Sequence, residues 1–146
     1  MFIKQISVFL ENTVGALREL TELLGRDGID MLALSLADTQ NFGIVRLIVQ
    51  SEQIDPAMDM LKAAGYIAKV NHVICAAVPD KPLGLCGLLT VIEQAGLSVE
   101  YMYSFSRAIS SESAHMILRL NDGQKAAQVF AMKNVTMLSQ EEVDRL

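Results

Sequence analysis

The chain has 146 residues, of which 51% are apolar and only 5% aromatic with no Trp, and its formal charge is −5. That length bounds it to one domain or two very small ones, with aliphatic and Met side chains filling the core. The acidic balance argues against a nucleic-acid surface, which needs clustered Lys and Arg, and no apolar run approaches the roughly 18–20 residues of a membrane span. Met1-Phe2-Ile3-Lys4 has no basic segment followed by an apolar stretch, so no signal peptide is expected. Cys75 and Cys86 stand apart without CxxC spacing, and a reduced, cytoplasmic setting is the simple expectation.

In residues 5–10, Ile6, Val8 and Leu10 alternate with Gln5, Ser7 and Phe9, the pattern of a strand with one buried face. Asn12 then suits a helix cap or a turn, and Gly15, with no Cβ, permits a sharp bend and close approach. Over residues 16–26 the period lengthens: Leu17, Leu20 and Leu24 share one helical face, and Gly28 fits a left-handed cap. Residues 31–37 and 42–50 read as two strands of a hairpin around a polar turn at 38–41. Asp55-Pro56 has the pattern of a helix opening, with Met58 and Leu61 inward and Gly65 at the end. Residues 66–70 form a fourth strand. Strand, helix, strand, strand, helix, strand is the split βαβ order of a ferredoxin-like sandwich.

The pattern then restarts without a linker. A strand over 73–78 leads to the turn Pro79-Asp80-Lys81-Pro82-Leu83-Gly84, and a helix carries Leu85, Leu88, Leu89 and Ile92 to its end at Gly96. Strands at 99–106 and 116–120 flank a looser turn at 107–113. Asp122 caps a helix with Val129 and Phe130, and 135–138 is a last strand before an acidic tail with room for one turn of helix. With one fixed offset, Asn12 pairs with Asp80, Leu17 with Leu85, Leu20 with Leu88, Leu24 with Ile92, Gly28 with Gly96 and Asp30 with Ser98. A repeat that keeps helix face, capping glycine and following strand in step predicts an α+β chain of two ferredoxin-like βαββαβ sandwiches in tandem. Antiparallel sheets with helices on one face would pack side by side, an eight-stranded sheet being one option. The expected domains are 1–71 and 72–138, with a tail over 139–146.

Catalysis finds no support: no nucleophile stands near a base, no Gly-rich loop carries a Lys, and no paired acids occur in a recognisable context. His72 and His115 lack ligand-spaced partners, so no metal and no cofactor are expected. Arg46, inside an apolar strand run, would snorkel from the open sheet face or pair across a dimer interface. Tyr101 and Tyr103 share a strand face and could fill a sheet interface or close over a ligand. The donor-rich start of the helix after Asn12 suits a carboxylate.

Asn12-Thr13-Val14-Gly15-Ala16-Leu17, followed by Gly28-Ile29-Asp30-Met31, resembles the turn pattern of the ACT domain, a small-molecule-binding regulatory module of amino-acid metabolism. The hairpin over 34–39 and 42–49, the second-repeat stretch 78–82 and Glu100-Tyr101-Met102-Tyr103 are similar to free-standing tandem ACT proteins. The resemblance covers all but the acidic tail. It implies a free amino acid held between two modules, against Asn12, Thr13, Val14, Gly15, Ala16 and Leu17 of one and facing Asp30 with Met31 beside it. Asn12 and Asp30 would take the ammonium, although each also reads as an ordinary cap and a solvated charge. Many members carry Pro where Val14 stands. A second site would comprise Asp80, Lys81, Leu83, Gly84, Leu85 and Ser98, but Leu83 occupies the turn-glycine position. The expected function is thus a non-enzymatic cytoplasmic regulator that binds a free amino acid and signals by module or dimer rearrangement. It would be a homodimer, with a metabolic enzyme or regulator as possible partner and neither nucleic acid nor membrane. The alternative is a ligand-free ACT module serving as regulatory subunit of a separate metabolic enzyme.

Overall fold

In the computed structural model, which describes residues 1–38, 41–107 and 109–146, the first alternating run becomes β1 (Ile3–Glu11). After it come α1 (Ala16–Arg26), β2 (Ala33–Asp38), β3 (Phe42–Ile48), α2 (Ser51–Ala63) and β4 (Ala68–Pro79). The chain divides into two units, one made of Lys4–Asn71 with Arg145, the other of Met1–Ile3, His72–Asp144 and Leu146.

In the first unit β3 pairs antiparallel with both β1 and β2, Leu47 lying opposite Ile6 and Leu34. Ile6, Val8 and Leu10 meet Leu20 and Leu24 of α1 and Ile54, Ala57 and Leu61 of α2 in one core. Burying each of these leucines contributes about 2 kcal/mol. Burial does not stop at that face. Gln5 and Ser7 are also buried, with Gln5 Nε2 donating to Ser7 Oγ (3.2 Å) and Ser7 Oγ donating to Asn71 Oδ1 (2.6 Å). The partner Asn71 makes this burial tolerable, since a buried hydroxyl or amide left without a bond costs about 1–3 kcal/mol.

The second unit continues with α3 (Gly84–Gln94), β5 (Val99–Ser104), β6 (Ser113–Leu120), α4 (Gly123–Met132) and α5 (Gln140–Asp144). Here β6 pairs antiparallel with β4 and β5, and Ile74, Ala76, Val78, Leu88, Ile92, Leu118 and Phe130 form the core. Asp122 caps α4 as the sequence suggests, its side chain accepting from the Lys125 N–H at 3.0 Å. Helix ends repeat as well. Ile29 N–H bonds Leu24 O (3.1 Å) and Leu97 N–H bonds Ile92 O (3.1 Å), each past a left-handed glycine, Gly28 at φ +76° and Gly96 at φ +70°.

Four expectations are corrected. The α2 helix begins at Ser51 rather than Asp55, so Pro56 lies inside it; having no N–H, Pro56 leaves the carbonyl one turn back without its usual helical donor. Residues 66–70 and 73–78 are not two strands, because β4 runs unbroken from Ala68. The stretch 135–138 is not a strand but an isolated bridge, Ala76 to Met137, held by Ala77 N–H to Thr136 O (2.8 Å) and Leu138 N–H to Cys75 O (2.9 Å). The described residues therefore make six strands, not eight. The bridge ends where α5 starts. Ser139 and Glu142 form a reciprocal capping box (2.7 and 3.2 Å) that opens this helix, and Val143 is fully buried. Residues 39 and 40 of the first hairpin turn and residue 108 of the second lie outside the described residues.

Cys75 is buried in β4 and Cys86 is exposed on α3. Burial, with the nearby Glu142 charge adding to it, pushes the Cys75 thiol up to about 12, so its thiolate is absent near neutral pH. Ellman's reagent is expected to titrate one thiol per native chain and both after denaturation. Two reactive thiols in the native protein would contradict this placement.

Candidate functional site

Both strand-to-helix turns are built by the same three backbone bonds. In the first, Thr13 N–H bonds Glu11 O (2.9 Å), Ala16 N–H bonds Thr13 O (3.2 Å) and Glu19 N–H bonds Gly15 O (2.9 Å). At an offset of 68 residues the set recurs, as Lys81 N–H to Pro79 O (2.9 Å), Gly84 N–H to Lys81 O (3.0 Å) and Gly87 N–H to Leu83 O (3.0 Å). The helices are capped at Gly15 (φ +85°) and Leu83 (φ +67°), both left-handed and neither with a side-chain cap bond. Asn12 is therefore a turn residue and not the helix cap. The Thr13–Ala16 bond closes a turn of its own first, which moves the cap position three residues on to Gly15.

A start with no side-chain cap bond leaves the N–H groups of Leu17 and Arg18 without intrahelical acceptors, so this end of α1 presents donors and a partial positive charge. Asn12, Thr13, Ala16 and Leu17 line a recess of about 90 Å³ together with Leu36 and Gly43. Val14 stands fully in solvent. Asp30 and Met31 do not line this recess. The Asp30 N–H is held by Gln53 Oε1 (3.1 Å), whose Nε2 donates to Gly28 O (3.0 Å). Met31 is half-buried and packs on the core of the first unit.

The second turn differs in chemistry. Leu83 holds a backbone conformation that costs a non-glycine residue roughly 1–2 kcal/mol, and the residue is 80% exposed. Gly84 is drawn so close to the strand end that a Cβ there would lie 2.0 Å from Pro79 O, whereas Ala16 at the matching place carries one. Lys81, Leu83 and Gly84 line a groove of about 410 Å³. Leu85 is partly exposed on α3, the Asp80 N–H bonds Glu112 O (2.9 Å), and the Ser98 N–H bonds Asn121 Oδ1 (2.9 Å), as Asp30 is held by Gln53.

The matching groove of the first unit, about 340 Å³, is lined by Phe9, Glu11, Glu19, Phe42, Tyr66 and neighbours. Sequence periodicity misses it, because Phe9 reads as the outer face of a strand and Glu19 as the solvent face of a helix. Aligning the two repeats position by position was the signal that could have found it. Arg46 is half-buried in β3, in register with Ser7 and Ser35. Tyr101 and Tyr103 alternate with Met102, which packs on the core of the second unit, and so lie on the opposite face of β5. His115 is buried on β6, and burial lowers its pKa. Among the described residues no group of three or more His, Cys, Asp or Glu is placed to hold a metal, and no helix is long and apolar enough to cross a membrane.

Comparison with known proteins places this geometry in a family. The chain is similar to a protein of Bacteroides thetaiotaomicron, at 33% identity and TM-score 0.88, covering 100% of this chain and 98% of that one. It shares its fold with the regulatory subunit of aspartate kinase from Thermus thermophilus in ligand-free form, at 14% identity, TM-score 0.64 and coverage of 88% and 91%. The regulatory subunit from Thermus flavus is alike in the same way, at 12% identity, TM-score 0.62 and coverage of 88% and 90%. A search of the curated proteins returned no match. The family profile described as an ACT domain pair matches residues 1–146, and the chain belongs to that family.

Proposed function

We propose that this ACT pair is a non-enzymatic cytoplasmic regulator that binds a free amino acid at an interface between ACT modules. The observation that carries the reading is the first turn: a helix start with no side-chain cap bond, beside a recess lined by Asn12, Thr13, Ala16 and Leu17. Backbone donors there suit an α-carboxylate, and Asn12 with an Asp30 from a facing module would take the ammonium. Asp30 and Met31 lie outside the recess of their own turn, which fits their being supplied by a neighbouring module in a homodimer. Binding would stabilise one arrangement of modules over another, within the limit set by the ligand's differential affinity. The regulatory subunits of aspartate kinase that share the fold support a regulatory role over a catalytic one.

A second reading rests on the other turn. Leu83 at positive φ and the tight approach of Gly84 to Pro79 favour a module that engages a separate metabolic enzyme through protein contacts, without a ligand. A thermal-shift screen against the twenty amino acids separates the two. At 100 times its dissociation constant a native-state ligand adds about 2.7 kcal/mol, and Asn12→Ala with Asp30→Ala should remove the shift. A flat panel would favour the enzyme-subunit reading, and a shift that survives the double substitution would move the site away from this turn.

A further inference from the structure

We propose that the groove beside Glu11 and Glu19 in the first unit is a binding site for a small aliphatic organic cation, an ammonium or guanidinium carried on a short methylene stem. Its volume, about 340 Å³, falls within the roughly 300–1,000 Å³ of small-molecule sites. The wall is unusual for this chain. Phe9, Phe42 and Tyr66 gather here in a protein with five Phe and three Tyr. Two carboxylates, Glu11 and Glu19, join them, and the lining contains no Lys or Arg.

The second unit supplies an internal control. Its groove is built by the same turn bonds, the same strand register (Glu11 opposite Phe42, Pro79 opposite Ser113) and the same bond beyond the second helix, Tyr66 N–H to Leu61 O and Val135 N–H to Phe130 O. The shape is therefore reproduced, but the chemistry is not. Where the first groove has Phe9, Phe42 and Tyr66, the second has Ala77, Ser113 and Val135. Where the first has Glu11 and Glu19, the second has Pro79 and Gly87, and Lys81 replaces Thr13. Aromatic rings and carboxylates are thus not needed to make the turn, the groove or the core beneath it. Together they match one ligand chemistry: a cation held between carboxylates and ring faces, with its methylenes lying on the rings. The groove shares Leu10, Glu11, Thr13 and Ala16 with the adjoining recess, but the aromatic rings and Glu19 lie outside that recess, and it is these that the cation reading rests on.

The test is a titration of the 15N-labelled full chain with cadaverine and with agmatine, using pentanol as the uncharged control. Both cations should give saturable shifts at the amides of Gly65, Tyr66 and Ile67 and leave Asn134, Val135 and Thr136 unmoved. Pentanol should give none. Glu11→Gln with Glu19→Gln, both exposed positions, should weaken the cations by about tenfold, and Phe9→Ala by several-fold. Absence of saturable shifts, equal binding of pentanol, an affinity unchanged by the double substitution, or shifts at Asn134–Thr136 instead would each overturn the site. An amino acid that raises thermal stability while cadaverine does nothing would sink the cation site and leave the amino-acid reading intact. The reverse pattern would do the opposite.

Discussion

Gly84→Ala is expected to destabilise the second unit by about 3 kcal/mol, near the upper end of what one inserted methyl group costs in a packed place. The added Cβ would lie 2.0 Å from the Pro79 carbonyl oxygen and 3.0 Å from its carbon. Both are backbone atoms, and that carbonyl already accepts from the Lys81 N–H. Relief would require moving the end of β4 or the start of α3, and Leu88, one turn along α3, is locked in the core. Gly15→Ala is the matched control. Gly15 has φ +85°, but a Cβ there meets nothing within 4 Å, so only the backbone penalty applies, about 1 kcal/mol. Urea denaturation of the two variants side by side checks the difference. Equal costs would mean that the second turn relaxes freely and that its closeness to Pro79 is not a constraint.

Much of this architecture was readable in the residues because it rests on local rules. The bounds of α1 follow from the change of period at Ala16, and Asp122 caps α4 through its own side chain. The repeat was legible because left-handed glycines recur at Gly28 and Gly96. What was not legible depends on partners distant in sequence. Gln5 and Ser7 read as the outer side of β1, yet both are buried, and the bond that satisfies the Ser7 hydroxyl goes to Asn71, 64 residues away. Asp55-Pro56 carries a strong local helix-start signal, yet α2 opens upstream at Ser51. Asn12 has the chemistry of a cap, but the preceding turn places the cap at Gly15. For the candidate site the turn could be found from helix periodicity and capping residues, whereas the groove beside it shows only when the two repeats are aligned position by position. Phe9, Glu19, Phe42 and Tyr66 come from four segments and meet only once β1, α1, β3 and the approach to β4 are folded.

Phe130→Ala should cost about 4 kcal/mol, as large-to-small changes at fully buried aromatic positions do. Phe130 has no exposed surface and belongs to the cluster of Ile74, Leu88, Ile92, Leu118 and Ala126. Its backbone carbonyl accepts from the Val135 N–H at 2.9 Å, a bond that the substitution leaves alone, so the loss is one of side-chain packing. Leu88, Ile92 and Leu118 come from α3 and β6, elements fixed by their own hydrogen bonds, which limits how far they can move into the space. Amide exchange reads the loss unit by unit. Protection at Ile74 and Leu118 should fall by about three orders of magnitude, since each 1.36 kcal/mol is a factor of ten. If Val8 and Leu47 in the first unit keep their protection, the units open separately; if they lose it in parallel, the pair unfolds as one cooperative body. A cost below about 1 kcal/mol would mean that the cavity collapses on its neighbours, and that the core of the second unit is less tightly determined than its burial implies.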